Sequence, residues 1–80
     1  MAKVVRVGMI GCGAIAERLH VPDLHHSPDA EVVAFCDVTR AAAERLAARF
    51  APEAVLYRDY ADVLADANVD AVVITLPNHL

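Results

Sequence analysis

An α/β fold built on a parallel sheet is what this 80-residue chain predicts, and three observations predict it. Short apolar runs alternate with helix-forming segments along the whole length. Two of only three glycines, Gly11 and Gly13, stand one residue apart where the first apolar run gives way to a helical pattern. The second apolar run ends on an acid, Asp37. Strands joined through helices run parallel, with right-handed crossovers in nearly every case.

The elements follow in order. Residues 4–10 form a nearly continuous apolar run, interrupted by Arg6 and Gly8, as in a strand covered on both faces. A helix opens at Ala14 with Ile15, Ala16 and Leu19 as its apolar face. Pro22 lacks an amide hydrogen and clashes with the carbonyl four residues back, which predicts an end or a kink near residues 19–21 and a further turn to His26. Pro28 and Asp29 make a turn, and residues 31–37, EVVAFCD, read as the second strand. Residues 40–50 are rich in strong helix formers and place Ala42, Ala43, Leu46, Ala47 and Phe50 on one stripe, with Pro52 beyond the end. The third strand is short, AVLY at 54–57. Asp59 caps a helix to about Ala65, with Asp62 three residues on in a capping-box arrangement. DAVVITL at 70–76 is the fourth strand, stopped by Pro77. This is the first part of a Rossmann-type sheet, in which the strands pair in the order 3-2-1-4 with helices on both faces.

Composition narrows the function. A chain of this length makes one small domain and buries only about 60–65% of the surface its unfolded form exposes. Seven basic and eleven acidic residues give a net charge of −4 without a basic block, which argues against a nucleic-acid partner. No apolar stretch approaches the 18 or more residues of a membrane helix, and the N-terminus lacks a signal-peptide apolar region, so a soluble cytoplasmic protein is expected. Cys12 and Cys36 read as free thiols rather than a disulfide framework.

The glycine pair carries the chemistry. Gly11 permits the tight turn out of the first strand, Gly13 lets the backbone approach a pyrophosphate, and Ala16 keeps the helix close to the sheet. The amides of Ala14 and Ile15, at the positive end of the helix dipole, face the phosphate oxygens. Asp37 stands 21 residues after Ala16, at the end of the second strand, where a carboxylate binds both ribose hydroxyls. The competing reading is a Rossmann-like domain that uses the same small residues for packing alone.

The stretches GMIGCGAIAERLHVPDL, VVAFCDVTRAAAERLAARF and YRDYADVLADANVDAVVITLPNHL resemble the N-terminal nucleotide-binding domain of the glucose–fructose oxidoreductase, inositol dehydrogenase and rhizopine-catabolism family, Gfo/Idh/MocA. The resemblance covers the whole chain and rests on the glycine turn, the strand-2 acid and the T-x-P-N after strand 4. It implies an oxidoreductase that uses NAD or NADP on a sugar, polyol or related hydroxyl compound. Members of that family run to several hundred residues, with an E-K-P segment whose lysine helps catalysis and a second domain that supplies the substrate pocket. Residues 1–80 are therefore expected to be the N-terminal part of the NAD(P)-binding domain of a longer parent, without its catalytic domain. The histidine common in the family's P-N-x-x-H would fall one residue past Leu80. No carboxylate or lysine here has a claim to general acid or base work, and no catalytic residue is assigned.

Other residues carry paired readings. Asn78, after strand 4, either touches the cofactor or makes the Pro-Asn turn, and Thr75 and Leu76 offer backbone groups to the same rim. His79 reads as an exposed loop histidine. His20, His25 and His26 lack metal-ligand spacing and a completing acid or cysteine, so no metal is expected. The two cysteines read as small buried thiols, with a redox-regulated site as the alternative. Arg40 is a solvated residue on a first helical turn or reaches a ribose 2′-phosphate. Asp37 favours NAD over NADP by charge. An apolar fourth strand at the sheet edge predicts self-association, weak NAD binding and no turnover by these residues alone. Two other function classes remain open: a dinucleotide-holding sensor, and a methyltransferase using S-adenosylmethionine, whose sites also pair a glycine turn with an acid ending strand 2.

Overall fold

A computed structural model describes residues 3–75. Its strands are β1 (Val5–Ile10), β2 (Ala30–Cys36), β3 (Val55–Tyr57) and β4 (Ala71–Ile74), in one parallel sheet of order β3-β2-β1-β4. The expected order holds. Asp37 falls just past β2 rather than inside it, and Val55 rather than Ala54 opens β3.

The first helical run covers residues 14–26 and does not end near residues 19–21, and its expected apolar face needs correcting. A π-helical segment, Ala16–His20, leads directly into α1 (Val21–His26). The N–H of Val21 donates to the Ala16 carbonyl, five residues back, so the ladder has already widened when Pro22 enters in the first turn of α1. The run continues past Pro22 to His26 rather than ending, and the irregularity expected near residues 19–21 is this π turn. It also shifts the buried face: Ala16 and Val21, five apart, are fully buried, whereas Ile15 and Leu19 are 60% and 51% exposed. An apolar stripe read at α-helical spacing is displaced by such a turn.

The next helix, α2 (Arg40–Phe50), matches its predicted bounds and buries Ala43, Leu46 and Ala47. Glu17 ties the first helical run to it. Its carboxylate receives Arg45 at 3.0 Å and Arg49 at 3.2 Å. The short α3 (Tyr60–Leu64) is capped by Asp59, whose side chain accepts from the Ala61 N–H at 2.9 Å. The reciprocal side-chain bond of a capping box is not formed by Asp62.

Met9 and Ile10 turn to opposite sheet faces, as the 2-residue strand period requires, while a register shift in β2 that skips Val33 brings Val32 and Phe35, three apart, to one face. Met9, Val32 and Phe35 face the first helical run and α2, while Ile10, Cys36 and Val63 make a smaller cluster under α3. Gly8 lets α3 approach: a Cβ there would stand 2.6 Å from a methyl of Val63. At the other end of β1, Arg6 holds Asp70 through Nε and Nη2, each at 3.1 Å, and holds Asn68 at 2.6 Å. The cation and its hydrogen bonds keep the Asp70 carboxyl down at about 2. This latch fixes the segment entering β4, whose outer edge has no partner strand among the described residues.

Candidate functional site

The carboxyl ends of the strands converge on a groove of about 640 Å³, lined by the glycine turn, Asp37 and Thr75. Parallel sheets place ligands at this end, where the strand order departs from sequence order on either side of β1. A second hollow of about 590 Å³ surrounds Glu31, Glu53 and His25 at the opposite end of β2 and holds none of the predicted site residues.

Gly11 leaves β1 with φ of +97°, and a Cβ at this position would run into the Thr75 carbonyl oxygen. The turn is fastened from both sides. The Gly11 N–H donates to the Cys36 carbonyl at 2.8 Å, and the Thr75 hydroxyl donates to the Gly11 carbonyl at 3.1 Å. Gly11 is thus required by the protein itself.

Gly13 is different. Its φ is not positive, and a Cβ built on it meets nothing within 4 Å. Neither backbone conformation nor packing among the described residues needs a glycine there. The open space in front of it is the groove. The first N–H in this run to find an intrahelical partner is that of Glu17, which donates to the Gly13 carbonyl at 3.0 Å. The N–H groups of Ala14 and Ile15 precede it, at the positive end of the helix, and both residues line the groove.

Asp37 is half-buried at the end of β2. Its Oδ2 accepts the Cys12 N–H at 2.9 Å and its Oδ1 accepts the Thr39 N–H at 2.8 Å. Two amide donors orient the carboxylate and leave lone pairs for hydroxyl donors, since an ionised carboxylate offers about four acceptor sites. Cys12 and Cys36 are free, buried thiols. Burial, followed by the nearby Asp37 charge, pushes the Cys12 thiol up to about 12, and the same two causes raise Cys36. The Cys12 thiol donates weakly to the Cys36 carbonyl at 3.5 Å. Burial of this kind disfavours the thiolate, the reactive form, at both cysteines.

Other predicted residues fall elsewhere. Arg40 is not among the residues lining the groove and makes a surface i, i+4 contact with Glu44 at 3.7 Å, in keeping with its reading as a solvated residue on a first helical turn. His25 packs edge-on against Phe50 and His26, with ring centroids 5.5 and 5.4 Å away. Among the described residues no three His, Cys, Asp or Glu side chains are grouped to hold a metal. No helix among them is long and apolar enough to cross a membrane. Leu76, Asn78 and His79 lie outside the described residues. Ile10, Val38, Arg58 and Tyr60 also line the groove, and no motif marks them. Arg58 directly follows β3, and the carboxyl end of a strand in a parallel sheet is itself the signal that marks such a position.

Four parallel strands in this order, with a glycine turn into a helix after the first, define a Rossmann-type unit. Within that class the chain belongs to the Gfo/Idh/MocA family, matching over residues 5–80 the family model described as an oxidoreductase family with an NAD-binding Rossmann fold. It is 43% identical to a dTDP-3,4-didehydro-2,6-dideoxy-alpha-D-glucose 3-reductase of Saccharopolyspora spinosa, over 96% of this chain and 23% of that protein. It is 39% identical to an inositol 2-dehydrogenase of Agrobacterium fabrum, over 89% of this chain and 21% of that one. Among solved structures it is similar to the 3-ketoreductase KijD10 of Actinomadura kijaniata in complex with NADP and TDP-benzene, at TM-score 0.85 and 36% identity over 94% of this chain and 22% of that one. A myo-inositol dehydrogenase of Lactobacillus casei with NAD(H) and myo-inositol matches at TM-score 0.83 and 40% identity, over 90% of this chain and 21% of that one. The chain therefore spans less than a quarter of the length of these relatives. Membership of this family sets aside the methyltransferase reading.

Proposed function

We propose that these residues are the dinucleotide-binding part of an NAD(P)-dependent oxidoreductase acting on a sugar, polyol or related hydroxyl compound. The observation that carries the reading is Gly13, a glycine with no internal reason to be one, opening onto the groove beside the free amides of a helix start. A pyrophosphate there receives the N–H groups of Ala14 and Ile15, and the adjoining ribose hydroxyls donate to Asp37. When bound, the nicotinamide ring supplies the hydride acceptor or donor. The chain's own part is to bind and orient: Gly11 and Thr75 hold the turn, Cys12 and Thr39 hold the acid. Thr75, which lines the groove, is proposed as a cofactor contact together with Leu76 and Asn78.

The anionic Asp37 repels a 2′-phosphate, and NAD is the preferred cofactor. Relatives of both cofactor types support the family chemistry: KijD10 holds NADP and the L. casei enzyme holds NAD(H). The substrate pocket and its catalytic residues belong to a separate domain of the intact enzyme. The exposed β4 edge, with Ile74 58% exposed, favours association between copies, which light scattering reads directly. Titration with NADH tests the function: the chain binds it, and Gly13→Val lowers affinity at least about tenfold while leaving the fold intact. Unchanged affinity in a folded Gly13→Val protein contradicts this placement.

A further inference from the structure

We propose that Tyr57, which is not among the residues lining the groove, is a positioning residue for cofactor binding: together with Asp66 it holds the backbone that carries Asp37. The inference rests on the dinucleotide reading above. β3 is an edge strand of only three residues, and its pairing with β2 ends where Tyr57 stands opposite Cys36. Just past that pair, the Asp37 N–H donates to the Tyr57 carbonyl at 3.1 Å. The end of a short edge strand frays readily, since few neighbouring pairs hold it closed. Here the tyrosine side chain supplies the missing hold. Its ring packs against the small cluster of Ile10, Cys36 and Val63, and its hydroxyl donates to Asp66 Oδ2 at 2.7 Å.

Asp66 is itself fixed, just beyond α3. Its N–H donates to the Val63 carbonyl at 3.1 Å, and its Oδ1 accepts the Asn68 N–H at 2.8 Å. The Asn68 side chain belongs in turn to the Arg6–Asp70 latch. A continuous path of hydrogen bonds therefore runs from the segment entering β4, through Asp66 and Tyr57, to the backbone of the acid. A hydroxyl bound to a carboxylate makes one of the stronger hydrogen bonds. That bond, followed by burial, pushes the Tyr57 phenol up, so it remains a donor at neutral pH. Arg58 and Tyr60, which do line the groove, leave the chain from this anchored end. A phenylalanine would fill the same place in the cluster; only the hydroxyl reaches Asp66.

The test compares the full chain with its Tyr57→Phe, Asp66→Ala and Asp66→Asn variants, each at a temperature where thermal unfolding shows it folded. NADH affinity is read by titration, and the amide signals are read by NMR before any ligand is added. Tyr57→Phe and Asp66→Ala weaken NADH about three- to tenfold and move the Asp37 and Cys12 amide signals of the ligand-free protein. Asp66→Asn keeps an acceptor for the phenol and stays within about twofold of the unmodified chain. Unchanged NADH affinity in Tyr57→Phe, a loss of affinity with the Asp37 and Cys12 amides unmoved, or an Asn variant as weak as the Ala variant would overturn the proposal and leave the dinucleotide reading standing. Failure of the unmodified chain to bind NADH overturns that reading, and this proposal with it.

Discussion

The backbone N–H of Cys12, inside the glycine turn, donates to Asp37 Oδ2 at 2.9 Å. The two features that mark the site in sequence, 25 residues apart, are thus one hydrogen-bonded unit. Turn and acid hold each other in place before any ligand arrives, which lowers the ordering cost of binding.

Removing the acid therefore affects fold and site together. Asp37→Ala leaves the amides of Cys12 and Thr39 without their acceptor and is expected to cost about 1–3 kcal/mol of stability. Asp37→Asn keeps one acceptor oxygen and costs less, but loses the charged acceptor for ribose hydroxyls. Urea unfolding beside NADH titration separates the two effects: Asn should lose more affinity than stability. Equal stability in the Ala variant and the unmodified chain would show that the clamp is slack.

The two glycines should fail in opposite ways. Gly11→Ala places a side chain at φ of +97° and against the Thr75 carbonyl, with an expected loss above about 2 kcal/mol. Gly13→Val meets no neighbour and should leave the melting temperature within about 2 °C while blocking the groove. Thermal unfolding of the pair checks this. A strongly destabilised Gly13→Val protein would mean that Gly13 serves the fold.

Much of this was legible in the residues, and the exceptions have physical causes. Strand and helix order, the bounds of α2 and the cap at Asp59 follow from period and capping chemistry, which are local. The π turn is not local in that sense: it is the five-residue step from Ala16 to Val21 that buries both, and no count at α-helical spacing finds it. The Cys12–Asp37 bond joins a backbone donor to a distant side chain, and backbone donors carry no residue signature. Arg58 looks like any surface arginine until the fold shows it lining the same groove as Asp37. Asn78 and Leu76 lie beyond the described residues, and their part in the rim stands as proposed.

Thiol chemistry provides a pH test. The thiolate is the reactive form, and a Cys12 thiol raised to about 12 stays protonated at pH 8. Native-state alkylation at pH 8 should be slow at Cys12 and Cys36 and become fast in urea. Because the folded-state value lies above the ordinary 9.0, Cys12 contributes stability that is full below pH 9 and is lost as pH rises toward 12. Rapid native labelling would favour the redox-regulated reading.

The Arg6–Asp70 latch gives the opposite sign. Its carboxyl is lowered from 3.8 to about 2, so its contribution is present above pH 4 and is lost as pH falls from 4 to 2. In Asp70→Asn that part of the acid sensitivity should vanish. A pH-stability profile between 5 and 2 for both proteins shows it, and parallel profiles would indicate that the pair is solvated at the surface.

The most direct test of the central claim is an amide-resolved NMR titration of the chain with NADH. Binding across the glycine turn predicts the largest shifts at Gly13, Ala14, Ile15 and the residues flanking Asp37, with Glu31, Glu53 and their hollow at the other end of the sheet unmoved. Shifts centred on that second hollow, or none at millimolar NADH, would contradict the account.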